Sequence, residues 1–154
     1  MKAVAAKNLH ITLKFLGDTD SDSITEITDR LYFSTQSKPA ITLGIVGLSA
    51  FPRHTRPSVV WAGIEDSGTL AEIAEKLQAE LKPLGFKRDK RLFQPHLTLA
   101  RVRGKPPEEL FTLINNHQST DFGTASVDSI ELIQSELRPE GARYTLLASV
   151  HLDQ

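Results

Sequence analysis

The sequence predicts an α+β fold built from antiparallel sheets with helices on their outer faces. Three observations lead to this prediction: short segments in which apolar and polar residues alternate, single amphipathic helices between those segments, and one strand pattern that occurs twice. Of the 154 residues, 40% are hydrophobic and 24% are charged, which is typical of a soluble globular protein. We therefore expect residues 1–154 to form a single domain with two pseudo-symmetric lobes.

The helices are predicted from their start and stop signals. Ser23 and Glu26 have the spacing of a capping box, and so do Thr69 and Glu72, so a helix is expected to begin at each pair. Gly85 stands where the second of these helices should end. A third helix is expected to begin at the Pro-Pro-Glu-Glu sequence of residues 106–109.

The strands are predicted from alternation and from apolar runs that are bounded by turn residues. The first covers Asn8 to Leu16, in which every second residue is apolar. The others are expected at Ile41–Val46, Ser58–Ile64, His96–Ala100, Val127–Ile133 and Tyr144–Val150.

The composition excludes several classes of function. No cysteine is present, which excludes a disulfide scaffold, a thiolate metal site and a cysteine nucleophile, and which suits a reducing cytoplasm. No apolar run reaches the length of a membrane helix, so we expect no membrane partner. The net charge is −1, but the stretch from Lys82 to Lys105 holds eight basic residues and a single acid, Asp89. This local excess of positive charge predicts an anionic ligand, with a solvated loop as the alternative.

One short pattern, His-x-Thr within an apolar alternation, occurs twice. The sequence reads Asn-Leu-His-Ile-Thr-Leu around His10 and Gln-Pro-His-Leu-Thr-Leu around His96, 86 residues later. A period of two places Thr12 beside the first histidine and Thr98 beside the second, each pair on one strand face. The repetition predicts a duplicated lobe in which each half supplies the same strand. A third match, at His117, lies in polar surroundings and is expected to be an exposed loop histidine.

These two motifs resemble those of the 2H phosphoesterase superfamily, and more narrowly those of the RNA 2′,3′-cyclic phosphodiesterases, also called 2′-5′ RNA ligases. The resemblance covers nearly the whole chain from Asn8 onward. It rests on Asn8–Gly17, Phe93–Arg101 and shorter matches at Phe51–Arg53, Val60–Gly63, Ser135–Leu137 and Gly141–Tyr144. Family members usually carry a first strand and helix before the first motif, whereas nine residues precede His10 here. A chain that lacks them is expected to expose a sheet edge, which would favour a dimer over the monomer otherwise expected.

The resemblance implies a mechanism in which two histidines face a phosphate across a cleft between the two sheets. His10 would donate a proton to the departing oxygen and His96 would accept one from the attacking water, although the likeness of the motifs does not by itself assign these roles. Thr12 and Thr98 would donate hydrogen bonds to the phosphate. Arg101 is a further phosphate-binding residue by family position, but strict alternation places it on the face opposite His96 unless the strand twists, bulges or ends there.

The expected function is therefore hydrolysis of the 2′,3′-cyclic phosphate of RNA ends, tRNA included, or of nucleotides, giving a 2′-phosphate. No cluster of carboxylates or histidines offers metal ligands, so we expect neither a metal nor another cofactor. Two alternatives use the same residues: 2′-5′ ligation of RNA halves, which is the reverse chemistry, and binding of a nucleotide or RNA without catalysis. A structural domain with fortuitous motifs is the last alternative.

Overall fold

The computed structural model describes residues 1–153, in which seven β-strands, three α-helices and three short 3₁₀ turns are found. The strands are β1 (Lys2–Ala3), β2 (Ile41–Arg53), β3 (Arg56–Glu65), β4 (His96–Arg101), β5 (Asp121–Val127), β6 (Ser129–Arg138) and β7 (Gly141–His151). The helices are α1 (Ile24–Thr35), α2 (Thr69–Leu81) and α3 (Glu108–Asn116). None of the helices in this part of the chain is long and apolar enough to cross a lipid bilayer.

The strands form two sheets, and the predicted α+β class with antiparallel sheets is confirmed. The larger sheet has the order β1-β4-β3-β2-β5, while β6 and β7 pair with each other in a separate ribbon. The predicted strands after the first are all present, most of them longer than predicted. Strand β5 was not predicted, because its residues are almost all exposed and lack an apolar alternation.

The described residues cluster into two compact units. The first combines Met1–Thr12, Thr42–Ser67 and Gln94–Ala125, and so holds nearly all of the larger sheet together with α3. Its buried cluster comprises Ala50, Val60, Ala100, Val102, Leu110 and Ile114, which shows that α3 covers one face of this sheet. The second unit combines Leu13–Ile41, Gly68–Phe93 and the described residues from Ser126 onward, and holds α1, α2 and the β6–β7 ribbon.

Helix α2 has the amphipathic pattern that the sequence predicts but a different N-terminal cap. Its apolar side chains are at most 5% exposed at Leu70, Ile73, Ala74, Leu77 and Leu81. Thr69 is the first helical residue, and Gly68 occupies the N-cap position with φ of +97°. This left-handed conformation suits glycine, and the helix begins one residue earlier than it would with Thr69 as its N-cap. The helix ends at Leu81, four residues before the predicted Gly85, which instead ends the 3₁₀ turn that follows the helix and also has φ of +97°.

The prediction of a first strand over Asn8–Leu16 is wrong. Ala6–Asn8 form a 3₁₀ turn, and residues 9–16 have no regular secondary structure. The pairing of this part of the chain with β4 ends early: β1 pairs only with Arg101 and Ala100, and the last bond along this edge runs from Val4 N–H to the Leu99 carbonyl, so the segment that follows has no ladder of its own. The expectation that each half supplies the same strand is therefore also wrong, and both motif histidines belong to the first unit.

The basic stretch is divided between the two units. Lys82, Lys87, Arg88, Lys90 and Arg91 belong to the second unit, whereas Arg101, Arg103 and Lys105 belong to the first. The stretch therefore does not belong to a single unit of the fold.

Candidate active site

The second motif lies on β4, which has a neighbouring strand on both sides in the larger sheet. Residues directly opposite each other in an antiparallel pair lie on the same face of the sheet. His96 is opposite Gly63 and Thr98 is opposite Trp61 on β3. The imidazole and the hydroxyl therefore share one face, as the period of two predicts, and both side chains are half-buried.

A β-bulge on β4 changes the face on which the following residues lie. The register with β3 shifts after Thr98, which leaves Leu99 as an extra residue in the strand. Ala100 consequently belongs to the buried cluster, and Arg101 returns to the face that carries His96. Because of this bulge, Arg101 lies on the same sheet face as His96 and Thr98. Arg101 is exposed, and it forms no ion pair within residues 1–153.

The first motif lies in the same unit, on the irregular segment that follows β1. Strand β1 runs antiparallel to β4, with Lys2 opposite Arg101. The chain therefore leaves β1 in the direction that leads from the Arg101 end of β4 toward its His96 end. After the 3₁₀ turn, His10 and Thr12 follow with exposed side chains.

Both motif histidines are oriented by the same local hydrogen bond. Nδ1 of His10 lies 2.6 Å from the carbonyl oxygen of Asn8, and Nδ1 of His96 lies 2.9 Å from that of Gln94. A carbonyl oxygen only accepts hydrogen bonds, so Nδ1 donates in both rings. This leaves Nε2 as the ring nitrogen with the chemistry to accept or donate a proton toward a ligand.

The residue before each histidine explains this shared geometry. Leu9 is extended, with φ of −66° and ψ of 127°. The ring of Pro95 restricts φ of that residue to about −65°. In both motifs the histidine thus follows a residue with the same φ, and its ring reaches back to the carbonyl two positions earlier. The repeated motif therefore gives both histidines the same local backbone setting, although only the second motif lies in a strand.

Two aromatic rings contact the imidazole of His96. The ring centroids of Phe51 and His96 are 5.3 Å apart at an interplanar angle of 88°, and those of Trp61 and His96 are 5.7 Å apart at 63°. Phe51 and Trp61 also stack on each other at 4.9 Å. Trp61 is 9% exposed, and its Nε1 is buried with no acceptor among residues 1–153. These contacts restrict the orientation of the imidazole, a role that the sequence did not indicate.

Two further histidines of the first unit have structural contacts. His54, which received no role from the sequence, hydrogen-bonds through Nε2 with Oγ of Ser49 at 2.8 Å. His117 is not an exposed loop residue as predicted: it follows the last residue of α3, is half-buried, and hydrogen-bonds with Oγ1 of Thr120 at 3.0 Å. No group of three or more histidine or acidic side chains within residues 1–153 could hold a metal ion.

The fold and the paired His-x-Thr motifs define a 2H phosphoesterase, and comparison with known proteins agrees. The sequence profile described as the 2′-5′ RNA ligase superfamily matches residues 1–139. The RNA 2′,3′-cyclic phosphodiesterase of Archaeoglobus fulgidus is 39% identical over 144 residues, which cover 94% of this chain and 80% of the relative. The protein of the same name from Aeropyrum pernix is 38% identical over 152 residues, which cover 97% and 85%. The chain therefore belongs to the 2′-5′ RNA ligase superfamily.

Solved structures show the same fold. A protein of Thermus thermophilus superposes with a TM-score of 0.83 at 29% identity, covering 98% of this chain and 81% of that protein. The E. coli LigT protein complexed with 3′-AMP superposes with a TM-score of 0.76 at 26% identity, covering 99% and 81%.

Proposed function

We propose that this protein hydrolyses the 2′,3′-cyclic phosphate at the 3′ end of RNA, or of a nucleotide, to a 2′-phosphate. The observation that supports the proposal most directly is the matched orientation of His10 and His96, each with Nδ1 on a backbone carbonyl two residues earlier. Relatives at up to 39% identity are named RNA 2′,3′-cyclic phosphodiesterase, and a similar E. coli protein was crystallised with 3′-AMP.

In the proposed reaction, a water oxygen attacks phosphorus and the bond between phosphorus and the 3′ oxygen breaks. Nε2 of neutral His96 takes a proton from the water, and protonated His10 gives a proton to the departing 3′ oxygen. Two imidazoles suit these roles, because one can be neutral while the other is charged near neutral pH. Exchange of one proton from His96 to solvent, and of one from solvent to His10, restores the starting state.

Thr12, Thr98 and Arg101 are proposed to stabilise the negative charge on the phosphate oxygens. Thr98 and Arg101 share the sheet face of His96, so their donors can serve one anion. Lys2 lies opposite Arg101, so a second basic residue stands beside it on the neighbouring strand.

The test is incubation of the purified chain with 2′,3′-cyclic AMP, with and without EDTA, followed by identification of the product. We expect 2′-AMP at the same rate under both conditions. Loss of turnover in EDTA would contradict the metal-free mechanism, and 3′-AMP as product would show that the other oxygen departs. Tight binding of 2′-AMP by a folded sample that converts nothing would instead favour a non-catalytic binding protein.

Ligation of RNA through a 2′-5′ linkage is a second candidate, and the description of the family favours it. A 5′-hydroxyl oxygen would replace water as the attacking group, so that the 3′ oxygen departs and a 2′-5′ phosphodiester forms. The same two imidazoles would carry the protons. Mixing an RNA that ends in a 2′,3′-cyclic phosphate with one that begins with a 5′-hydroxyl tests this activity. Absence of a joined product under conditions of rapid hydrolysis would contradict it.

A further inference from the structure

The second unit carries a dense group of charged residues between α2 and β4. Five consecutive residues, Lys87–Arg91, include four cations and one acid, and we name this segment the basic loop. All five residues are exposed and none belongs to a helix or strand. The next residue, Leu92, is 95% exposed. A loop of this composition would ordinarily be mobile, but its contacts indicate that it is held in place.

A buried lysine fixes the basic loop. The Lys14 side chain is 4% exposed, and its Nζ donates to Oε1 of Gln78 at 2.6 Å, to the Lys87 carbonyl at 2.9 Å and to Oδ1 of Asp89 at 3.2 Å. An ammonium has three hydrogens, so these acceptors satisfy it completely. Gln78 on α2 also donates to Oδ2 of Asp89 at 2.7 Å. Both ends of this network lie in the second unit, which joins the loop firmly to the helix.

The ion pairs around the basic loop determine which of its cations can bind an anionic ligand. Asp89 is paired with Lys14, so the loop's one acid does not neutralise its own cations. Arg88 pairs with Glu75, and its hydrogen bond holds the pKa of the Glu75 carboxyl below the usual value. The remaining acids of α2, Glu72 and Glu80, pair with Lys38 and Arg30 respectively. Within residues 1–153, the cations of the loop that form no ion pair are Lys87, Lys90 and Arg91.

We propose that the basic loop binds the phosphate backbone of an RNA strand, so that a strand ending in a 2′,3′-cyclic phosphate is a better substrate than a mononucleotide. This inference rests on the proposed function. Three exposed cations on a fixed loop can contact more than one phosphate, and Leu92 offers an apolar contact for a base. Arg91 precedes His96 by five positions along the chain.

The experiment compares two substrates and two charge-matched variants. Lys90→Gln/Arg91→Gln removes two cations from the loop, while Lys76→Gln/Arg138→Gln removes two exposed cations outside it. Turnover is measured with 2′,3′-cyclic AMP and with an RNA of about ten nucleotides that ends in a 2′,3′-cyclic phosphate, a length within the usual range of single-strand binding sites. Binding of the corresponding RNA with a 2′-phosphate end is measured by fluorescence anisotropy over a series of salt concentrations.

We expect the loop variant to keep the turnover of 2′,3′-cyclic AMP and to lose affinity for the RNA. Its slope of log affinity against log salt should be smaller than that of the unmodified protein by roughly 1.4, at about 0.7 per cation for a single strand. Between 50 and 200 mM salt, the unmodified protein should therefore lose about sevenfold more affinity than the loop variant does. The control variant should keep the original slope.

Two results would overturn the inference. One is an unchanged salt slope in the loop variant, and the other is an equal loss of turnover for the mononucleotide and the strand. Failure of the proposed function is a different result, because the unmodified protein would then convert neither substrate. The binding measurement uses an RNA that is not turned over, so it tests the basic loop in that case too.

Discussion

The contacts of Lys14 predict that replacing it with methionine destabilises the protein far more than an equivalent change at a surface ion pair. Methionine has a similar length and keeps the packing of the side-chain stem, so the change removes mainly the charge and three hydrogen bonds. Gln78 would lose a 2.6 Å donor to its buried amide oxygen, and Asp89 would lose its cationic partner.

The magnitude follows from the burial of the two partners. Breaking a fully buried ion pair costs about 3–5 kcal/mol, whereas an exposed pair contributes about 0–1 kcal/mol. The Lys14 side chain is 4% exposed but that of Asp89 is 46% exposed, and Gln78 still donates to Asp89. We therefore expect a loss of about 2 kcal/mol in the free energy of unfolding, or about 4–8 °C in Tm for a chain of this size.

The assay is thermal and urea unfolding of Lys14→Met beside Lys38→Met. Lys38 makes a similar contact, 2.6 Å to Glu72, but the side chains are 26% and 63% exposed, so its replacement should cost at most about 1 kcal/mol. Hydrogen exchange should also rise in the basic loop of Lys14→Met and not in that of Lys38→Met. If the two variants lost the same free energy of unfolding, the hydrogen bonds of Lys14 would not hold the basic loop in place as argued above.

Four further predictions concern the proposed active site. His10→Asn and His96→Asn should each lower kcat/KM for 2′,3′-cyclic AMP by about 10²- to 10⁴-fold with little change in Tm, which calorimetry checks. The profile of kcat/KM against pH should be bell-shaped, since one imidazole must be charged and the other neutral; a flat profile would contradict the two-histidine mechanism. Arg101→Gln should lower kcat by about 10²- to 10³-fold, whereas Arg103→Gln, two residues further along, should not. Phe51→Leu should lower kcat with little change in KM, while Phe51→Tyr restores it; equal losses in both variants would argue against an orienting contact.

The sequence predicted those parts of the fold whose signals are local. The apolar spacing of α2 predicts which face of the helix is buried, and the alternation of His96–Ala100 predicts a strand. Both predictions depend only on the order of residues within the segment. The candidate histidines and threonines were found for the same reason: two similar motifs stand in recognisable surroundings.

The remaining features depend on neighbours that a single segment does not reveal. Alternation over Asn8–Leu16 indicates an extended segment, but a strand also needs a backbone partner, and the pairing with β4 ends at Val4, before this segment begins. The contact of Phe51 with His96 joins positions 45 residues apart on different strands. Lys14 resembles any exposed lysine of an alternating strand, and only the partners on α2 and in the basic loop show that it is buried.

The bulge at Leu99 has a consequence for changes in chain length. In a strand without a bulge every second residue lies on the same face, so an arginine beside the motif would stand four residues after the histidine, as in His-x-Thr-x-Arg. The extra residue lengthens the spacing from His96 to Arg101 to five. Removing residue 99 would therefore restore simple alternation and leave the arginine beside the histidine. Adding one more residue at that point would give a spacing of six, which is also even, so a regular strand would again carry the arginine on the histidine's face but one residue further along. A deletion and an insertion of equal size thus both remove the need for the bulge, and they differ in how far the arginine lies from the histidine.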